Sequence, residues 1–454
     1  MSDQLPTATR VADPGLRALY QLDSRWQAWL DVEVALARAQ EELLIIPAGA
    51  AEAIAQVARL DLMDRARLAE GFQRTGHTLV PLVWELARLV GEPHGGWVHW
   101  GATTQNITQT GDLLVLRRAH RILRNQIGAI LVAMADLAET GADMVMPGRT
   151  HGQHAVPATF GYKVAVWIDE MARHLERLEQ AAPRLFVAML GGGAGTFASL
   201  GQHGPAVQAG IGRHLGFGSM RVPSRALGDH LAENICLMGL LAATTGKIGR
   251  EIYTLMKTEF GEVEEPVPAG TVGSSTMPQK RNPKLCQDII ALAADVRMQV
   301  PLALEAMQTE HEADRTTTLM MDAAESRAMI AMGDALGRVG QVLTGLKLEP
   351  ERMRRNLDLG GGLIMAEAVM LELGGTLGRQ HAHDVVYDAA QAAFLEGRAF
   401  SAALAGDPRV TRHLDAAAID RLLDPVAYTG LCAEMARDAA VRARQLAARI
   451  ASHG

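Results

Sequence analysis

Three short polar clusters in this chain carry side chains able to bind anions and move protons. They are His99-Trp100-Gly101-Ala102-Thr103-Thr104-Gln105-Asn106, Gly148-Arg149-Thr150-His151-Gly152-Gln153-His154, and Gly273-Ser274-Ser275-Thr276-Met277-Pro278-Gln279-Lys280-Arg281-Asn282-Pro283. Hydroxyl and amide side chains at a helix start favour a carboxylate, because unpaired backbone N–H groups point outward there. The same residues are also preferred as plain helix caps, so the first cluster has both readings. In the second, a histidine between Thr and Gly suits acid–base work near neutral pH, and a structural histidine fits the isolated motif as well. His151 and His154 stand three residues apart with no carboxylate at ligand spacing, which argues against a metal. The third cluster is a Gly/Ser/Pro-rich loop with a lysine and an asparagine, the kind of segment in which binding groups concentrate. By contrast, Leu190-Gly191-Gly192-Gly193-Ala194-Gly195-Thr196 lacks the G-K-[ST] ending of a phosphate loop and reads as a tight turn or a close helix approach.

These clusters need long helices to position them. Leu116, Leu123, Ile127, Ile130, Met134 and Leu137 follow one another at 7, 4, 3, 4 and 3 residues, and Val164, Ile168, Met171, Leu175 and Leu178 repeat the pattern at 4-3-4-3. Such stripes let antiparallel bundle helices bury one face each. A third long segment runs from about Leu231 to Phe260, and Pro301 should kink or cap the helix after the third cluster. Before the bundle, Trp26, Trp29, Leu30, Val34 and Ala37 mark a helix ending at Ile46-Pro47-Ala48-Gly49; beyond Glu351 the helices should shorten. The expectation is an all-α chain of three helical domains: 1–110, a central long-helix bundle at 111–350 carrying the third cluster, and 351–454. Helices this long and apolar also suit packing between subunits.

Composition narrows the class. Apolar residues make up 48% and aromatics only 4%, which favours helix over sheet. The formal charge of −7, without a long Lys/Arg run, argues against a nucleic-acid partner. Cys236, Cys286 and Cys432 are sparse and unclustered, as expected of reduced thiols in a cytosolic protein. The start MSDQLPTATRVADPG lacks the features of a signal peptide, and no uninterrupted apolar stretch reaches membrane-spanning length. A cytoplasmic location and no membrane partner are the expectations.

In order and separation the three clusters resemble the signature regions of the fumarase/aspartase superfamily, with GSSTMPQKRNP the most specific. WQAWLDVEVALARAQ near the start and NLDLGGGLIMAEAVMLELGGTLGRQHAHDVV near the end are similar to the adenylosuccinate lyase and 3-carboxy-cis,cis-muconate cycloisomerase branch. That resemblance implies a helical homotetramer with active sites shared between subunits, a small dicarboxylate substrate, and no metal or organic cofactor. It implies that Ser274 is the base removing a proton next to a carboxylate. Lys280 and Asn282 would stabilise the resulting anion, and His151 would assist the leaving group. Thr103, Thr104 and Gln105 match substrate-carboxylate binders, and His77 and His99 match further active-site histidines. Thr150, Ser275, Met277 and Arg315 complete the expected binding set, Arg315 as the group for the distal end of the substrate. A serine is a weak base unless its alkoxide is stabilised, so this scheme requires Lys280, backbone donors and exclusion of water by loop closure.

Several positions depart from the family pattern. Where a glutamate usually stands seven residues after the lysine, this chain has Gln287, a neutral neighbour that gives imidazolium no charge stabilisation. The expectation is a leaving group needing less protonation than an ordinary amine, such as a nitro group. The Arg-Tyr start that helps hold a nucleotide is missing, which argues against a purine substrate. His151 weakens the cycloisomerase alternative, since bacterial cycloisomerases often lack it, and Glu310–Arg315 follows the distal-binding pattern only in part. The leading expectation is β-elimination of an amino-, N-substituted or nitro-succinate to fumarate, with a carboxymuconate cycloisomerase as the alternative. A non-catalytic protein on the same scaffold is disfavoured by the intact Ser274, Lys280, Asn282 and His151.

Overall fold

A computed structural model describes residues 10–267, 277 and 279–452. Five long helices dominate: Thr104–Thr140, Phe160–Leu185, Asp229–Leu255, Lys284–Glu305 and Arg315–Gly345. The apolar stripes are core, with Leu116, Ile127, Met134, Ile168, Met171 and Leu175 at no more than 1% exposure. The chain is all-α apart from three short two-stranded ladders among the described residues. Pro301 lies inside the helix Lys284–Glu305 and does not end it. The helix bearing Trp29 stops at Glu42, short of Ile46–Gly49. Beyond Glu351 short helices prevail, but Arg379–Glu396 and Cys432–Ser452 are long exceptions.

The chain forms two compact units. The first comprises 1–126, 173–243 and 291–337. One of its apolar clusters packs Trp29, Leu36, Ile54, Leu82, Ile107 and Ile211. Helix Arg65–Thr75 is capped by Asp64, whose carboxylate accepts from the Ala66 and Arg67 N–H groups, and it ends at Gly76 with φ 64°. That left-handed residue turns the chain into His77 and the helix Val80–Val90.

The second unit comprises 127–172, 244–290 and 338–454. It contains an antiparallel hairpin, β1 (Val145–Thr150) and β2 (Gln153–Thr159), at the second polar cluster, where the sequence reading expected no strands. Thr150 pairs with Gln153 across His151-Gly152, and both turn residues have positive φ, 51° and 77°. A two-residue turn with both φ positive matches the twist of the flanking strands. The Gly after His151 was the available sequence signal. Val369, Leu373, Val386, Phe400 and Leu404 form a separate apolar cluster near the C-terminal end.

Candidate active site

In the first unit the helix Thr104–Thr140 opens with a reciprocal cap. The Thr103 N–H donates to Asn106 Oδ1 at 3.0 Å, and the Asn106 N–H donates to the Thr103 carbonyl at 2.9 Å. Buried Asn106 also accepts from the Gly192 N–H at 3.2 Å, tying the glycine-rich turn to the helix start. In that turn a side chain on Gly191 would lie 2.6 Å from the Pro223 carbonyl oxygen, and Gly192 has φ +73°. The tight-turn reading of Leu190–Thr196 therefore holds, and Asn106 shows that the first cluster does serve as a cap.

Thr104, Gln105, His77 and Arg315 line one cleft of about 670 Å³ in this unit; Thr103 and His99 are not among its lining residues. The His77 ring accepts the Leu79 N–H at Nδ1 (3.1 Å), which leaves the proton of neutral imidazole on Nε2. Burial, with the nearby positive charge of Arg315, lowers the His77 pKa and favours that neutral form. His99 has a different role: its Nδ1 lies 2.6 Å from Oε1 of Glu33, which is 2% exposed. Burial pushes the His99 pKa down, but the charge and hydrogen bond of Glu33 outweigh it, and the net shift is upward.

The cleft contains groups that the sequence reading missed. Arg25 pairs with Asp322 and lies 3.8 Å from Asp112, which also accepts from Trp29 Nε1 at 3.1 Å. Asp112 and Asp322 line the cleft, and an adjoining recess exposes Glu325. Burial and the Asp112 charge raise Glu325 to about 8, and burial raises Asp112 to about 6 despite Arg25. Burial thus favours the neutral form of Glu325, which limits negative charge beside the cleft. Arg225, from the segment before the helix Asp229–Leu255, also lines the cleft. Its Nε donates to Gln105 Oε1 at 2.8 Å and its Nη1 to the Gly193 carbonyl at 2.7 Å. None of these groups forms a sequence pattern, because residues 25, 112, 225 and 322 meet only through folding.

In the second unit, exposed His151 occupies the hairpin turn, next to Thr150. Close to the turn the hairpin is fixed by a two-pronged pair, with Arg149 Nη1 and Nη2 donating to Glu262 at 2.9 and 2.6 Å. Glu262 is fully buried and also accepts from Asn356 Nδ2 at 2.7 Å. Ser274 and Ser275 lie outside the described residues. After that gap, exposed Met277 and Lys280 are joined by a 3.0 Å bond from the Lys280 N–H to the Met277 carbonyl, and Asn282 is half-buried. Glu265 accepts from the Leu285 and Cys286 N–H groups, both at 3.0 Å, and so anchors the start of the helix Lys284–Glu305. Gln287 is exposed on that helix. Among the described residues no group of three or more His, Cys, Asp or Glu is placed to hold a metal. Nor is any helix among them long and apolar enough to cross a membrane.

Long buried helices and a charged cleft beside the start of Thr104–Thr140 make up the described helical scaffold. A family model described as "Lyase" matches residues 8–298, and one described as "Adenylosuccinate lyase C-terminus" matches 362–439. The N-acetyl-S-(2-succino)cysteine lyase of Dickeya dadantii is 36% identical over 428 residues, 94% of each chain. The 3-carboxy-cis,cis-muconate cycloisomerase of Pseudomonas aeruginosa is 38% identical over 434 residues, again 94% of each. A crystal structure of a fumarate lyase from Mesorhizobium sp. BNC1 matches with a TM-score of 0.88 at 36% identity, covering 95% of this chain and 98% of that one. The chain belongs to the fumarase/aspartase superfamily of lyases, in its adenylosuccinate lyase and 3-carboxy-cis,cis-muconate cycloisomerase branch.

Proposed function

We propose that this enzyme eliminates a good leaving group from a substituted succinate and releases fumarate. Ser274 takes the proton, Lys280 and Asn282 stabilise the dianionic intermediate, and His151 assists departure. Thr103, Thr104, Gln105, Thr150, Ser275, Met277, His77, His99 and Arg315 hold the substrate or shape its site. The observation that carries this reading is the cleft joining Thr104, Gln105, His77 and Arg315, in a chain whose third cluster retains Ser274, Lys280 and Asn282. Preorganised donors at the developing charge are the largest usual source of rate enhancement in such a reaction.

Gln287 bears on what leaves. With no carboxylate at that position, His151 gains no charge stabilisation when protonated. Groups that depart as stable anions then suit the site better than amines. Nitrite is one such group and a thiolate another, since a thiol ionises near pH 8.5, whereas an amine leaves only once it is protonated. The thioether-cleaving relative makes a succinyl thioether a sound first substrate. The homotetramer with shared sites is part of the proposal: exposed His151 and Lys280 fit a site completed by other subunits. The domain division at 110 and 350 and a cytoplasmic location are likewise proposed. The P. aeruginosa relative supports cycloisomerisation of a carboxymuconate as the second reading.

Absorbance decides between them. Fumarate should appear from a panel of thioether-, amino- and nitro-substituted succinates, whereas consumption of carboxymuconate without fumarate would favour cycloisomerisation. Gln287→Glu should move leaving-group preference toward amines and shift the pH profile. If neither changes, the role given to Gln287 is wrong.

A further inference from the structure

Arg225 is a cation held on a neutral frame. Its Nε and Nη1 bond the amide oxygen of Gln105 and the carbonyl of Gly193, and among the described residues no carboxylate pairs with it. Burial without a compensating charge lowers its pKa, whereas Arg25 in the same cleft has acidic partners and is shifted upward. A guanidinium tethered through two nitrogens cannot easily turn away to water, and its remaining Nη2 can still donate. Arg315 lines the same cleft, where its charge acts on Asp112. Within this cleft Arg225 is thus a cation whose own hydrogen bonds go to neutral oxygens. A cleft of about 670 Å³ is also of a size that holds much larger ligands than a four-carbon diacid.

We propose that Arg225 binds a third anionic group, a carboxylate carried by the leaving group, and so selects substituted succinates whose departing part is itself an acid. Gln105 and the Gly191–Gly193 turn are the elements that hold this receptor in place. The proposal rests on the fumarate-forming reading above and adds to it the residue that receives the departing group.

Its test is a matched pair of succinyl thioethers, alike except that the thiol part bears a carboxylate in one and a hydrogen in the other. The wild-type enzyme should favour the carboxylated member roughly 10- to 100-fold in kcat/KM, the range for a hydrogen bond to a charged group. In Arg225→Gln the ratio should fall to about 1, and Arg225→Lys should regain only part of it, because the planar fork is lost. Circular dichroism and an unchanged melting temperature show that the variants fold. No preference in the wild type, or an equal preference in Arg225→Gln, overturns the proposal even while fumarate release upholds the reaction. If neither thioether releases fumarate, the reaction assignment fails for thioethers, and calorimetric binding of propane-1,2,3-tricarboxylate against succinate tests Arg225 separately. Selectivity for the tricarboxylate that disappears in Arg225→Gln supports the receptor; selectivity absent, or unchanged by the substitution, overturns it.

Discussion

His99 and His151 are both candidate active-site histidines, yet their settings differ in kind. In the first unit, His99 is clamped to the buried Glu33 at 2.6 Å, beneath a helix start that caps itself. In the second, His151 stands exposed in the turn of a hairpin, two residues beyond Arg149, which pairs with the buried Glu262. Lys280 is exposed as well. One region holds its polar groups in buried contacts; the other carries His151 and Lys280 exposed on short segments. The contrast suggests that recognition is built in advance, while the chemical groups become effective only when water is excluded.

The strongest way to break this contrast is to remove a reactive group without loss of structure. Lys280→Met should lower fumarate release by roughly 1000-fold, the scale for losing preorganised charge stabilisation, with the melting temperature unchanged. A similar loss is expected for Ser274→Ala; retained turnover would remove Ser274 as the base. Arg149→Met should act on the hairpin beside its turn. It leaves a fully buried Glu262 without its cation and should destabilise the protein by about 3–5 kcal/mol, seen as a lower denaturation midpoint.

A smaller effect is expected at the clamp. His99→Gln should lower stability by about 1–3 kcal/mol by exchanging a charged partner of buried Glu33 for a neutral one. Because the folded pKa of His99 lies above 6.5, its contribution is full below pH 6.5 and is lost as pH rises through the higher folded value. The variant should therefore lose that pH dependence; an identical pH profile would show that the clamp does not titrate. The mildest change is at Glu325. It is raised from 4.5 to about 8, so the folded protein binds more protons than the unfolded chain between those values, and stability declines as pH rises across them. Glu325→Gln should flatten that decline in denaturant titrations between pH 5 and pH 8.

Much of this molecule was legible as sequence. The heptad-like stripes through Leu116–Leu137 and Val164–Leu178 required long buried helix faces, and the helices followed. Local periodicity suffices there because each stripe needs only an apolar partner. GSSTMPQKRNP and its two companions identified the superfamily. The hairpin was missed because Pro147 and Pro157 interrupt the strand signal, and a two-residue turn holding a histidine with φ 51° is uncommon outside Gly and Asn.

What sequence alone determined is therefore the helical class, the family and the inventory of reactive side chains, all of which depend on short-range spacing. Tertiary structure alone decided which charges share a cleft. Arg25, Asp112, Arg225, Arg315 and Asp322 are scattered over nearly 300 residues, and only packing gives Arg25 acidic partners while leaving Arg225 on neutral ones. Whether a guanidinium is neutralised or remains available for a ligand depends on distances of a few ångströms, and no spacing along the chain encodes them.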